Sequence, residues 1–307
     1  MQAMPKSFAT DSPIPIRLLV LDVDGTVMNS RHEIAAATCQ AVAAIRAAGI
    51  RVLLATGRRY RDTLPVAERL GIHEPLITAS GALIKRPTDH TTLSRAVFGP
   101  GVLEGVVARM IASGHEPVLY SDSFADGFDF HCRGLPDGPT PGGRRVAAND
   151  QLPLAGLADY LEHNRSLACV APDLHDNLPA GVFAGFAMGG HQPMLELEES
   201  LHADFPAALS LHTIRSPRYL HWMCEIAPVG IDKWAGVLSM AREWGIGSAE
   251  ICAVGDDVND LPMIRGAGLG IAMGNAQPQV LAAADRIVAT HDNDGLVEVA
   301  NLLLSGG

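Results

Sequence analysis

Three short clusters of acidic, hydroxyl and glycine residues each follow an apolar run. They are Asp22-Val23-Asp24-Gly25-Thr26, Thr56-Gly57-Arg58 and Gly255-Asp256-Asp257-Val258-Asn259-Asp260. Carboxylates gathered at one place repel one another, and the grouping is costly unless a cation sits among them. Oxygen ligands with no His or Cys beside them favour Mg2+ over zinc. Mg2+ keeps several waters and commonly joins one or two carboxylates to a substrate phosphate. Gly25 and Gly57 let the backbone come close, so that N–H groups can cradle phosphate oxygens. Thr56 supplies a hydroxyl donor and Lys233 a compact positive charge. These residue types suit a phosphate monoester bridged to Mg2+.

The clusters act together only if the fold brings them together. Ile16 to Val23 is a nearly continuous apolar run, the pattern of a parallel strand buried on both faces. Arg51 to Ala55 and Leu76 to Ser80 predict two further strands. Between them, Glu33 to Ala48 predicts a helix, with Ile34, Ala41, Val42 and Ile45 at helical spacing and Gly49 as a stop. Arg59 to Leu70 predicts a second helix, interrupted by Pro65. The tail repeats the alternation. Its helices are predicted at Lys233 to Trp244, Val258 to Ile264, Gln277 to Ala284 and Gly295 to Leu304. Its strands are predicted at Glu250 to Val254, Leu269 to Met273 and Arg286 to Ala289.

Alternating strand and helix at both ends predicts an α/β fold, a Rossmann-like doubly wound parallel sheet. Ligands of such sheets bind beyond the carboxyl ends of the strands, which is where all three clusters fall. The middle reads as α+β. Strands are predicted at Val118 to Ser121, Phe128 to Cys132, Leu167 to Val170, Leu209 to Ile214 and Tyr219 to Ile226. Helices are predicted at Val102 to Ala112, Leu154 to His163 and Glu196 to Phe205. Ser216-Pro217 marks a hairpin turn, and Gly134 to Gly143 a loop. The expected layout is a leader over 1–15, a core domain over 16–84 and 226–307, and an inserted α+β cap over 85–225.

Composition narrows the function. The chain has 307 residues, with 23 Lys+Arg against 34 Asp+Glu and a formal net charge of -11. Binding to nucleic acid through its phosphates needs the opposite balance, so no nucleic-acid partner is expected. Mean hydropathy is +0.16, yet no apolar run approaches the roughly 20 residues of a membrane helix. No membrane partner is expected either. The five cysteines are odd in number and show no CxxC spacing, which fits reduced thiols in a cytoplasmic protein.

The DVDGT, ATGR and GDDVND stretches with Lys233 resemble, in order, the four motifs of the haloacid dehalogenase superfamily. HEIAAATCQAVAAIRAAGIRVLLATGR, ITASGALI and GLGIAMGNAQPQVLAAAD with DNDGL resemble its Cof-type hydrolases, the subclass IIB branch with a C2B-type cap. The resemblance covers about half the chain and is architectural only in the cap. It implies Asp22 as nucleophile and Asp24 as general acid, then base. It implies Thr56, Lys233, Asn259, Gly25 and Gly57 as phosphoryl contacts. Mg2+ would be held by Asp22, the main-chain carbonyl of Asp24, and Asp256. Asp260 would orient Lys233 or the metal waters, and Asp257 is either an outer ligand or a solvated neighbour. Ser80 departs from the pattern, which often has Asn there.

The implied activity is a Mg2+-dependent phosphatase of small phosphorylated metabolites, sugar phosphates by default, working through an aspartyl-phosphate. The second carboxylate, Asp24, separates this chain from dehalogenases, whose halide leaving group needs no proton. Two rivals remain: a sugar phosphomutase using the same intermediate, and a non-catalytic metabolite-binding protein. A monomer or small homo-oligomer is expected. The cap histidines His90, His115, His131, His163, His175, His191, His202, His212 and His221 show no ligand spacing and are expected at the surface or in packing. Arg133, Arg144 and Arg145 read as surface residues, and Phe186, Met188, Met194 and Trp222 as cap core.

Overall fold

The computed structural model describes residues 15–135, 155–216 and 219–305. The chain opens with β1 (Leu18–Leu21), α1 (Ala36–Ala47), β2 (Arg51–Leu54), α2 (Tyr60–Leu70) and β3 (Leu76–Thr78). β4 (Leu83–Lys85) and β5 (Thr92–Arg95) fold back on β3 as an antiparallel sheet. The middle supplies α3 (Val102–Ala112), β6 (Val118–Ser121), β7 (Phe130–Cys132), α4 (Ala155–His163) and β8 (Ala168–Val170). β9 (Val182–Gly189), α5 (His191–Asp204), β10 (Leu209–Arg215) and β11 (Trp222–Pro228) complete it. The return path is α6 (Lys233–Glu243), β12 (Ile251–Gly255), α7 (Leu261–Gly266), β13 (Leu269–Ala272), α8 (Pro278–Ala283), β14 (Arg286–Ile287) and α9 (Gly295–Leu304).

The core sheet has the order β14-β13-β12-β1-β2, and every pairing in it is parallel. Its central strand shows why the sequence reads as one apolar run. Leu18 and Val20 pack with Val237, Met240 and Ala241 of α6. Leu19 and Leu21 pack on the opposite face with Val42 and Ile45 of α1 and Val299 of α9. All four β1 residues are fully buried, so each contributes about 1.5–3 kcal/mol of apolar transfer. Leu19→Ala would leave a cavity and cost about 2–5 kcal/mol. A single parallel bridge, Ala55 to Ile77, links this sheet to β3.

The inserted sheet runs β10-β11-β9-β6-β7-β8 and is antiparallel except for β7 with β8. α3 and α5 cover one face through Val106, Met110, Met194, Leu197 and Leu201. Phe186 and Met188 pack instead with Phe130, Leu157 and Tyr160. Trp222 is half-buried and stacks on His191 at 3.8 Å between ring centroids. β9 has no counterpart in the sequence reading, because its Ala and Gly residues dilute the strand signal. Gly185 is required there: a Cβ would lie 2.8 Å from the Val118 carbonyl oxygen on β6. α5 starts at His191 rather than Glu196, with Pro193 in its first turn where a missing N–H costs no helix bond.

The β4–β5 hairpin also shifts the crossings. Pairing with β3 holds the chain beside the core as far as Arg95, beyond the expected boundary at 84, and β11 stays in the inserted sheet to Pro228. β10 and β11 form the expected hairpin, although residues 217–218 of its turn lie outside the described residues. The leader to residue 14, the loop from residue 136 to Gly143, and Arg144 and Arg145 also lie outside them. Among the described residues, no helix is long and apolar enough to cross a membrane.

Candidate active site

The parallel register of β1 with β12 sets the first and third clusters side by side. Asp22 leaves β1 while its N–H still bonds the Val254 carbonyl at 3.1 Å, and Asp256 leaves β12 next to it. Gly25 then turns with φ +78°, and a Cβ there would lie 2.2 Å from Asp256 Oδ2. Only glycine meets both demands, the left-handed backbone and the contact. On the other side of β1, Thr56 follows β2, held by its N–H to the Ile77 carbonyl at 2.9 Å.

Lys233 is the first residue of α6, whose start is capped by Asp232 accepting from the Ala235 N–H at 2.7 Å. Its side chain is 2% exposed. Nζ donates to Asp22 Oδ1 at 2.7 Å, Asp260 Oδ1 at 2.6 Å and Asn259 Oδ1 at 3.1 Å, which uses all three ammonium hydrogens. Burial alone would lower the Lys233 pKa, but Asp22 and Asp260 outweigh it and hold the ammonium above its ordinary value. The other Asp260 oxygen accepts from the N–H groups of Asp256 at 2.9 Å and Asp257 at 3.1 Å. Asp260 is therefore committed to Lys233 and to the turn. Asp257 caps that turn, with Oδ1 accepting from the Val258 N–H at 2.7 Å.

Asp22, Asp256 and Asp260 each bring a carboxylate oxygen within 4.8 Å of the others. Burial, with Asp260 and Asp24 adding repulsion against the pull of Lys233, pushes Asp22 up to about 7. Burial, then Asp22 and Asp260, pushes Asp256 up to about 9. The single charge of Lys233 does not offset three gathered carboxylates, and the oxygen-only donor set fits a hard divalent cation. Asp256 is already oriented for one, by Thr26 Oγ1 at 3.1 Å and Asn275 Nδ2 at 3.3 Å. Asn275 also donates to the Gly25 carbonyl at 2.9 Å, tying the two strand ends together.

Asp24 is gripped by Arg58, with Nε to Oδ2 at 2.7 Å and Nη2 to Oδ1 at 2.6 Å. Two parallel charge-assisted bonds fix the plane of the carboxylate. Burial opposes the Arg58 charge, and Asp24 more than restores it, raising its pKa. Thr56 Oγ1 accepts from the Arg58 N–H at 3.1 Å, which leaves the hydroxyl hydrogen to donate elsewhere. Ser80 stands in the left-handed region at φ 53°, where Asn is at home, and donates to Glu225 Oε2 at 3.1 Å. Burial raises the Glu225 pKa. A Cβ on Gly57 would stand 3.4 Å from Ser80 Oγ.

Asp22, Asp24, Gly25, Thr56, Gly57, Lys233, Asp256, Asp257 and Asn259 all line one cleft of about 660 Å3 between the two sheets. Asp260 stands behind them, fully buried. Tyr120, Tyr160, Tyr219, His221 and Glu225 line the cleft from the inserted sheet's side. Sequence reasoning missed Asn275 and the pairing role of Arg58. The ATGR motif contained Arg58, but its partner lies far away in sequence and only the fold joins them. Asn275 follows β13 in the GLGIAMGN stretch, one more polar residue at a strand's carboxyl end. The described cap histidines mostly sit as expected, whereas His221 reaches the cleft. Arg133 pairs with Glu116 at 2.6 Å.

A family model described as haloacid dehalogenase-like hydrolase matches residues 19–128 and 174–299. Phosphatase YwpJ of Bacillus subtilis is 25% identical over 307 residues, covering 94% of this chain and 100% of that protein. The 5-amino-6-(5-phospho-D-ribitylamino)uracil phosphatase YitU of the same organism is 24% identical over 292 residues, covering 91% and 94%. The solved structure of the subclass IIB sugar phosphatase BT4131 superposes with a TM-score of 0.71 at 20% identity, covering 95% of this chain and 100% of that one.

Proposed function

The chain belongs to the haloacid dehalogenase-like hydrolases, in their Cof branch, and on that premise we propose that it is a Mg2+-dependent phosphatase of small phosphorylated metabolites. The observation that carries this reading is the buried Lys233, bonded at once to Asp22, Asn259 and Asp260 beside the paired Asp24. A carboxylate nucleophile repels a phosphate dianion, and a fixed buried cation at its side offsets that repulsion. The core, in this reading, is the chain to about residue 95 and from about 229, and the cap is the insertion between them.

Asp22, Asp256 and the Asp24 carbonyl would hold Mg2+, which supplies positive charge to the phosphoryl oxygens when bound. Lys233 fixes Asp22 Oδ1, so the other oxygen faces the phosphorus and forms the aspartyl-phosphate. Thr56, Asn259 and the Gly25 and Gly57 backbone hold the phosphoryl oxygens. Asp24 protonates the leaving oxygen and afterwards takes a proton from water, which attacks phosphorus and frees Asp22. Arg58 takes one acceptor site on each Asp24 oxygen, which fixes the carboxylate plane and leaves the remaining lone pairs for proton transfer. Asp260 orients Lys233.

The relatives named for sugar phosphates and for a phosphoribitylamino compound support a phosphorylated metabolite as substrate. The test is phosphate release from a panel of phosphorylated metabolites, with Mg2+ and after chelation. Release that needs Mg2+ is expected. Isomerisation of a sugar phosphate without release would instead mark a phosphomutase.

A further inference from the structure

Between β3 and β4, three successive residues hold the left-handed backbone: Ala79 at φ 47°, Ser80 at φ 53° and Gly81 at φ 100°. That region is strained for Ala and Ser, and such strain persists only where the surroundings over-determine it. Position 81 needs glycine twice over, because a Cβ there would also lie 2.2 Å from the Asp232 carbonyl oxygen.

The surroundings of this turn are the parts that must act together. The Ser80 N–H donates to the Thr56 carbonyl at 3.0 Å, and the Ala79 N–H to the Arg58 carbonyl at 2.8 Å. The turn thus holds the segment that carries Thr56 and the partner of Asp24. Gly81 lies against Asp232, the residue before Lys233. The Ala82 carbonyl accepts from the Ala96 N–H at 2.8 Å, where the chain first leaves for the inserted sheet. Asp232 stands just after the chain returns from it, so both crossings touch the turn.

The inserted sheet adds one side chain, Glu225 of β11, whose Oε2 accepts from Ser80 Oγ at 3.1 Å. This bond stands directly over Gly57. The position of a Gly57 Cβ is 3.4 Å from Ser80 Oγ, 3.6 Å from Glu225 Oε1 and 3.9 Å from Asn259 Nδ2. The junction therefore closes over the backbone and the amide that the phosphatase reading gives to the phosphoryl group.

We propose that Ser80 and Glu225 are positioning residues that complete the phosphoryl site only when the cap is closed. The proposal rests on the phosphatase reading and assigns the coupling of closure to chemistry to this one junction. With Glu225 docked, Ser80 is kept left-handed, and its N–H and that of Ala79 hold Thr56 and Arg58 in place. With Glu225 withdrawn, the strained turn relaxes and the two carbonyls lose their donors. Such an element, biased by the cap on one side and by the catalytic segment on the other, is what coupling between two places requires.

The experiment measures kcat and KM for one turning-over ester in the wild type, Ser80→Ala, Ser80→Asn, Glu225→Met and the double variant Ser80→Ala/Glu225→Met. Each single loss of the bond should lower kcat about tenfold, the value of one good hydrogen bond, and leave KM within about twofold. The double variant should fall no further than the worse single one, because both break the same link. Ser80→Asn should recover kcat, since Asn suits the left-handed turn and its amide can donate to Glu225. Multiplied losses in the double variant, a change in KM alone, or no recovery in Ser80→Asn would overturn the proposal. Should Glu225→Met fail to fold, Ser80→Ala and Ser80→Asn carry the same comparison.

Hydrogen exchange supplies a readout that needs no substrate. Ser80→Ala and Glu225→Met should each speed exchange at the Ala79 and Ser80-position N–H groups about tenfold and leave the β1 and β12 amides unchanged. Unchanged exchange at the turn would overturn the coupling. A wild type that releases phosphate from no ester would count against the phosphatase reading, and the exchange arm would still decide whether Glu225 holds the turn.

Discussion

The two sides of the cleft treat polar groups in opposite ways. On the core side, Lys233 has three partners, Asp260 uses both oxygens, and Arg58 closes on Asp24 with two bonds. Towards the cap, Arg59 and His221 each keep a buried atom without a partner. The difference separates two tasks. Bond-making chemistry needs its charges fixed before the substrate arrives, because reorganisation at the moment of reaction raises the barrier. Recognition instead needs groups that only the right ligand completes, because a wrong ligand then leaves them buried and unpaired.

Changes on the core side should therefore act on every substrate alike. Asp22→Asn should lower phosphate release on the order of 10^4-fold or more for all esters, since it removes the attacking carboxylate. Retained turnover on any ester would break the division of labour. Lys233→Met should come next. It leaves Asp22 and Asp260 buried without their cation, and should cost about 3–5 kcal/mol of stability in urea unfolding of the metal-free protein. A loss within error would show that the web is not a buried ion cluster in solution. Gly25→Ala should weaken the Mg2+ affinity measured by activity titration roughly 10- to 100-fold, because the new methyl displaces Asp256.

The smallest effect belongs to the junction. Burial raises the folded-state pKa of Glu225 above its ordinary 4.5, so its favourable contribution is present below that pH and lost as pH rises towards the folded value. Glu225→Gln removes that loss. The variant should gain stability relative to the wild type as pH is raised from about 4.5, read as the shift in unfolding midpoint. A difference that is flat with pH would place Glu225 in water rather than in the closed junction.

The core was legible because its elements are written locally. Ile16 to Val23, Arg51 to Ala55 and Glu250 to Val254 are apolar runs ending in chemistry-bearing residues, and β1, β2 and β12 lie within a residue or two of them. Every residue of the DVDGT, ATGR and GDDVND clusters expected at the site, with Lys233, reaches the cleft or the layer directly behind it. The inserted sheet was less legible. β9 is a strand only because β6 and β11 enclose it, and Gly185 marks that enclosure without announcing it. β4 and β5 are too short and too mixed in polarity to read as strands. Arg58, Arg59 and His221 look like an ordinary charged turn and a scattered histidine until the fold decides which partners they gain and which they lack.

The central claim is that Asp22, held by Lys233, receives the phosphoryl group. Rapid quenching of the enzyme with Mg2+ and a turning-over ester, followed by peptide mass spectrometry, tests it directly. The predicted result is a base-labile phosphoryl group on the peptide containing Asp22, absent in Asp22→Asn. A phosphoryl group on another residue, or steady turnover by Asp22→Asn, would contradict the account.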